Sequence, residues 1–448
     1  MKHPRAFGWL EVIRLGLIQA CMGAVVVVTT STLNRIMVVE LALPALIPGL
    51  LVGFHYIVQM VRPRMGFGAD AGGRCTPWMM GGMLALATGG TLASAGTVLM
   101  STQFAAGMLL SVLAFTLIGF GVSACGTSLL VLMAKRLPDD VRAPSATLVW
   151  MMMIFGFAAT AITVGKLLDP YSPARLMSVT CGLSIVVVVL TTACLWRLEG
   201  EPCSIHGQTR DRPQTNAFKQ TLKEVWAEPQ ARAFTIFVFA SMLAYSFQDL
   251  ILEPFAGSVF AMTPGETTQL SGFQHSAVLA GMITVAIAGS AKVKGRLGSV
   301  QAWMVGGCMA SAVAMSGLCL AGLQGPGWPL KLNVFLLGVA NGAFSIAAIA
   351  TMMRLANEGA PGREGTRMGL WGAGQAIAFG LGGVLGTAVS DLARWLISDT
   401  GTAYALVFGL EALMFAVSAW CAVRVTRLSP TRVQPATPMG SSLQESYL

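Results

Sequence analysis

Charge is what this chain most lacks. Only 11% of its 448 residues are Asp, Glu, Lys or Arg, while 54% are hydrophobic. A soluble domain carries roughly 25% charge, so a water-soluble globule is excluded. The nine cysteines are scattered, and no two stand in a Cys-x-x-Cys pair. That pattern argues against a disulfide framework or a zinc site. No Gly-rich phosphate loop or nucleotide signature occurs. The first apolar run is too long for a secretory leader and no cleavage-like polar break follows it, so it is expected to be a retained helix. Histidine is rare, with four in the whole chain.

What the chain does have is long apolar runs and many small residues. A spanning helix needs about 20 apolar residues. Twelve such stretches can be laid out, at 10–33, 42–61, 77–99, 104–133, 147–168, 175–196, 232–252, 272–291, 300–322, 330–353, 367–390 and 402–423. The 51 glycines suit close packing of membrane helices. Of the 29 Lys and Arg, 24 fall on the side that carries the N-terminus, leaving Arg35, Lys166, Arg175, Lys331 and Arg394 on the other. The positive-inside rule then places both termini in the cytoplasm. It also accounts for the net charge of +9 without a nucleic-acid partner.

The polar stretch 197–231 separates six spans from six spans. The expected organisation is an N-terminal half (1–196), a cytoplasmic linker (197–231), a C-terminal half (232–428) and a disordered tail (429–448). Within the linker, Asn216 to Glu228 is expected to form an amphipathic helix on the membrane surface, with Phe218, Leu222 and Val225 on one face. The halves echo each other. Gly53-Phe54 and Gly272-Phe273 are 219 positions apart, as are Gly119 and Gly338 in matching Leu-Ile-Gly and Leu-Leu-Gly runs. A shared spacing predicts two six-helix pseudo-repeats about an axis along the membrane normal, the parallel repeat of major facilitator transporters. The fold class is therefore an all-α polytopic membrane protein of twelve transmembrane helices. The loop at Gly66, Asp70, Gly73 and Arg74 resembles the signature loop of that superfamily, with Ala71 and Cys75 where the pattern has Arg.

Charged and polar residues inside apolar sequence are the functional candidates. Arg35, Glu40, Asp249 and Glu253 fall toward the outside ends of helices 1, 2 and 7, where Arg35 is expected to pair with Asp249 or Glu253 and hold that face closed. His55 and His275 occupy nearly symmetric places and could ligate the magnesium of a pigment; the alternative is a hydrogen bond to a neighbouring helix. Glu411 stands alone within the last span. Glu11 and Arg14, one turn apart, read as a local pair. Asn34, Gln59, Asn341 and Gln375 read as helix-to-helix glue or as partners for a pigment carbonyl. Met151-Met152-Met153 offers adaptable apolar surface.

The stretch Thr32 to Leu41, with Arg62-Pro63-Arg64 and the Asp70 loop, resembles the PucC family of major-facilitator-like proteins of phototrophic bacteria. The resemblance covers nearly all the chain outside the linker and tail. Gly8 to Leu15 and Phe54-His55-Tyr56 look closest to the branch named for a chain of bacteriochlorophyll synthase. It implies a protein of the bacterial inner membrane that delivers or handles bacteriochlorophyll, or a precursor, during light-harvesting complex assembly. Bacteriochlorophyll synthase and light-harvesting polypeptides are the implied partners, beside the lipid bilayer. Two other classes stay open: a secondary transporter of a small solute, and a subunit of the synthase. Catalysis on an isoprenoid diphosphate needs acidic clusters that hold magnesium. Asp249 and Glu253 fall outside by the charge rule, and Asp139-Asp140 is a short pair among Lys135, Arg136 and Arg142. The residues therefore speak against an enzyme.

Overall fold

The computed structural model describes residues 7–61, 74–199, 223–288, 299–358 and 364–428. The long apolar runs form helices: α1 (Trp9–Glu40), α2 (Leu46–Val58), α3 (Thr76–Met100), α4 (Phe104–Arg136), α5 (Asp139–Leu168), α6 (Pro173–Leu195), α7 (Pro229–Phe260), α8 (Pro264–Ala288), α9 (Val300–Gln324), α10 (Leu330–Glu358), α11 (Glu364–Leu396) and α12 (Thr400–Leu428). Eleven of these are long and apolar enough to cross a membrane; α2, at 13 residues, is shorter. The expected span 42–61 is thus cut at both ends. Ala42 takes a left-handed backbone (φ 49°), Pro44 follows it, and Gln59–Val61 tightens into a 3-10 turn. Conversely, α1 runs beyond its expected end at 33 to include Arg35 and Glu40.

Two helices are irregular where they face each other. α1 holds two π-helical turns, Val28–Thr32 and Ile36–Glu40, a feature that recurs at functional sites. α7 breaks at Leu250–Ile251 and resumes at Leu252. The cause is Pro254, which has no N–H to offer the Leu250 carbonyl one turn earlier. That carbonyl instead accepts from Asn34 Nδ2 of α1 at 2.7 Å. An irregularity written in one half is satisfied by the other, as membrane interiors require.

The helices build two hydrophobic cores, one mainly from α1–α6 and one mainly from α7–α12; Leu250 of α7 belongs to the first, Ile154 of α5 to the second, and Phe157 packs against both. Small residues set the spacing inside each. Gly82, Gly89 and Gly96, seven apart, lie so close to α4 that an added Cβ would meet its backbone. The repeat is visible in packing as well as in spacing. Gly119 on α4 sits under α2 at His55 and Val58, and Gly338 on α10 sits under α8 at Gln274 and Val278. Gly53 faces Val384 of α11, and Gly272 faces Ile162 of α5. The members of each pair make corresponding contacts, Gly119 and Gly338 within a half and Gly53 and Gly272 across the interface.

Of the expected amphipathic segment, Lys223–Ala227 is helical, and Val225 is buried in the second core. Phe218 and Leu222 lie outside the described residues, as does the tail from 429.

Candidate functional site

Where the halves meet, buried and half-buried aromatic and polar side chains from α2, α5, α7, α8 and α11 follow one another in an open arc, called the ring below. Tyr56 lies 5.8 Å from Phe379, and Phe379 6.0 Å from Tyr245. Tyr245 is one turn from Asp249, which also lies near His275. His275 meets Phe157 edge-on at 5.1 Å. Methionine sulfurs border the ring: Gln19 Nε2 lies 3.2 Å from Met153 Sδ, and Gln375 Nε2 lies 3.9 Å from Met242 Sδ. Met153 belongs to the Met151–Met153 run singled out in the sequence.

The two histidines are not equivalent. The 219-residue spacing matches His275 to Tyr56 and His55 to Gln274. Accordingly His55 turns into the first half, buried against Phe115 of α4 at 6.3 Å, with Nδ1 bonded to the Val52 carbonyl. His275 faces the ring. Its Nδ1 lies 2.8 Å from the Ser271 carbonyl. A carbonyl only accepts, so Nδ1 carries the proton and Nε2 keeps its lone pair.

Above the ring, on the face away from the termini, polar contacts tie the halves together. Arg35 forms its ion pair with Glu40, five residues on, and not with Asp249 or Glu253. The π turn between them brings the two together on one side of α1. Arg35 still crosses to the second half, donating from Nη2 to the Met262 carbonyl at 2.7 Å. Glu253 is buried and accepts from Ser31, whose hydroxyl oxygen in turn accepts from the Ser271 hydroxyl at 3.1 Å. Thr32 and Thr268 share a hydrogen bond of 3.1 Å. Two acids that the sequence does not single out also join the halves; the first is Asp391 on α11. Its two carboxylate oxygens accept from the Ala45 and Leu46 amides at 2.9 and 2.8 Å, capping α2 from across the interface. Asp169 accepts from Thr263 at 2.8 Å, joining the α5–α6 and α7–α8 turns. Both lie in polar-looking turn or helix-end sequence, where an acid reads as ordinary until its partner is seen.

On the terminus side, the following ties lie within a half. Glu199 caps α3: its carboxylate accepts from the Cys75 amide (2.6 Å), the Thr76 amide (2.8 Å) and the Thr76 hydroxyl (2.6 Å). Burial works against the charged form, but these bonds and the nearby Arg74 hold the carboxyl below its ordinary value. Arg136 donates to the Glu199 carbonyl at 2.7 Å. Of the signature loop, Arg74 therefore joins this junction, while Gly66, Asp70 and Gly73 lie outside the described residues. Arg14 bonds the Cys194 carbonyl at 2.9 Å rather than Glu11, which caps the Gly8 amide at 2.9 Å. In the second half, Arg367 forks onto Glu228 at 2.8 and 2.9 Å. Asn341 accepts from Ser311 at 2.8 Å, as helix glue. Glu411 is fully buried in the α12 core, and neither carboxylate oxygen has a hydrogen-bond partner among the described residues.

The comparisons with known proteins agree with this architecture. Among solved structures, the chain resembles an inward-facing, occupied bacterial homolog of the human lysosomal transporter Spinster (TM-score 0.66, 14% identity, 93% of this chain and 96% of that one). It also resembles a D-xylose-proton symporter (TM-score 0.68, 13% identity, 92% and 97%). The fold is that of the major facilitator superfamily. In sequence, it is 51% identical to the bacteriochlorophyll synthase 44.5 kDa chain of Rhodobacter capsulatus, over 93% of this chain and 96% of the relative. It is 29% identical to protein PucC of the same organism, over 91% and 90%. The profile of the family described as PUCC protein matches residues 32–429, and the chain belongs to that family.

Proposed function

We propose that this protein handles bacteriochlorophyll, or a precursor of it, in the inner membrane of a phototrophic bacterium, delivering pigment during biosynthesis and light-harvesting complex assembly. The family and the names of its relatives support the pigment connection. The observation that carries the reading is His275. Its Nδ1 is held by Ser271 and its Nε2 lone pair is left to serve as an axial ligand, in a ring of Phe157, Tyr245, Tyr56 and Phe379 suited to a flat macrocycle. His55, locked against Phe115, supports the ring through its neighbour Tyr56. Arg35, Glu40, Glu253 and Asp391 form the closure of the outer face, with Asp249 just inside it. Bacteriochlorophyll synthase and light-harvesting polypeptides are the partners to which pigment would pass, on the cytoplasmic side that carries the termini.

The transporter-like fold favours a second reading, transport of a small solute. Deleting the gene and profiling pigments and antenna complexes together separates the alternatives. Normal pigment with lost antenna is the expected result. Accumulated unesterified precursor would point to a synthase subunit, and no change in either would point to a solute.

A further inference from the structure

The interface between the halves has two long seams, and one of them comes apart. On α2 and α11 the contacts follow a strict register. Asp391 takes the amide of Ala45, Thr387 covers Gly49, Val384 covers Gly53, and Gly380 lies under the Cβ of Tyr56. One helical turn further along α11 comes Ala376, while on the other side α2 ends at Val58 and the chain passes into the 3-10 turn that holds Met60. Met60 is 72% exposed, and Ala376 is exposed too. The exposure continues on α11 through Gly372, Ala373 and Ile377. Around the helix these residues form an unbroken arc from the side of Phe379 and Gln375, past the side that α2 covers higher up, to the outer face at Leu381. The arc carries no polar side chain. It ends inward at Gln375, Phe379 and Tyr56, the edge of the aromatic ring.

The other seam, α5 on α8, does not part. Gly165 meets Gln269, Ile162 meets Gly272 and Phe157 meets His275. Ile154 and Val278, one turn further toward the termini, are 6% and 3% exposed and share one core.

We infer that the parted half of the α2–α11 seam is a lateral passage through which an amphiphile with a hydrocarbon tail moves between the lipid on the terminus side and the aromatic ring. The tail is the occupant of the seam, because the described residues of the passage offer alkyl surface, Met60, Ile377 and the small residues of α11, continuous with the outer apolar face at Leu381. A fully hydrophilic cargo would gain nothing from such a path. The inference rests on the proposed function for the identity of the head group alone.

Lipid-borne quenching tests the passage without any pigment. In a background with the nine native cysteines changed to alanine, a fluorophore is placed at Ala376→Cys or, as the lipid-facing reference, at Leu381→Cys. Both are reconstituted in phosphatidylcholine vesicles with or without brominated acyl chains. The label at 376 should be quenched by brominated lipid to within about twofold of the label at 381. Quenching by aqueous iodide but not by brominated lipid would make the seam a water-filled cleft and overturn the inference, as would quenching by neither. A second arm uses vesicles containing bacteriochlorophyll. The double variant Ala373→Trp/Ala376→Trp should slow uptake of the tailed pigment at least tenfold, yet leave binding of the tailless bacteriochlorophyllide within about twofold. Equal loss of both, or of neither, contradicts the passage. If the unaltered protein binds neither pigment, the proposed function fails while the quenching result still decides the passage.

Discussion

The seams α5–α8 and α2–α11 occupy corresponding places in a repeated fold, yet one is sealed toward the termini and the other opens. The difference lies in a few residues. The sealed seam has Ile154 and Val278, two branched side chains buried in one core. The open one has Met60 near Ala376, both exposed, and α2 has already ended at Val58, so Met60 lies in the tight turn Gln59–Val61. Pseudo-symmetry thus gives the protein two equivalent frames, and side-chain volume makes only one of them a passage. The outer face is treated alike on both sides, with Asp391 on one seam and Asp169–Thr263 on the other.

Packing offers the largest contrast. Adding a methyl at Gly272 drives it into the backbone nitrogen of Ile162 at 2.7 Å and the Ala158 carbonyl at 3.0 Å, whereas at Gly53 it meets the movable end of Val384, with the Gly380 carbonyl no closer than 3.4 Å. Overpacking costs about 1–3 kcal/mol. Thermal unfolding in detergent should place Gly272→Ala near the upper end, about 3 kcal/mol, and Gly53→Ala near 1 kcal/mol. Equal losses would remove the contrast between a rigid and a yielding seam.

The cap on α2 comes next. Asp391→Asn keeps the shape but removes the charge that two helix-start amides share. Loss of a cap of this kind costs about 1–2 kcal/mol. The same variant should increase cysteine labelling at the outer end of α2, because the seam is pinned there. A variant with lowered stability and unchanged labelling would make Asp391 a local brace only.

The smallest effect is expected at Glu199, whose bonds lie within the first half and touch neither seam. Glu199→Gln should cost about 1 kcal/mol and leave the passage as it was. Its folded carboxyl sits below the ordinary value, so its contribution is complete above the unfolded value near 4.3 and fades as pH falls through the lower folded value. Unfolding midpoints measured from pH 6 downward should converge for the two proteins at the acid end. A constant gap across that range would contradict the assignment.

Much of the architecture was legible in sequence because it depends on quantities a sequence carries directly: apolar length, basic residues and a repeated spacing. Gly53, Gly272, Gly119 and Gly338 were found by their spacing and proved to be contact points. The site was harder to read, for physical reasons. Which acid Arg35 chooses depends on a π turn that no residue type announces, so Glu40 was seen as one of four charges and not as the partner. Two histidines one step out of register looked alike until the helices turned one inward to Phe115 and the other to the ring. Asp391 is an ordinary acid near a helix end until α2 arrives against it from 346 residues away.

The central claim is that the ring at the meeting of the halves holds a magnesium macrocycle through His275. The direct measurement is titration of purified protein with bacteriochlorophyll, following the absorption band that reports magnesium coordination, for the unaltered protein and for His275→Ala and His55→Ala. The account predicts a bound pigment whose coordination band shifts in His275→Ala and stays in place in His55→Ala. An unchanged spectrum in His275→Ala, or the same shift in both variants, would contradict it.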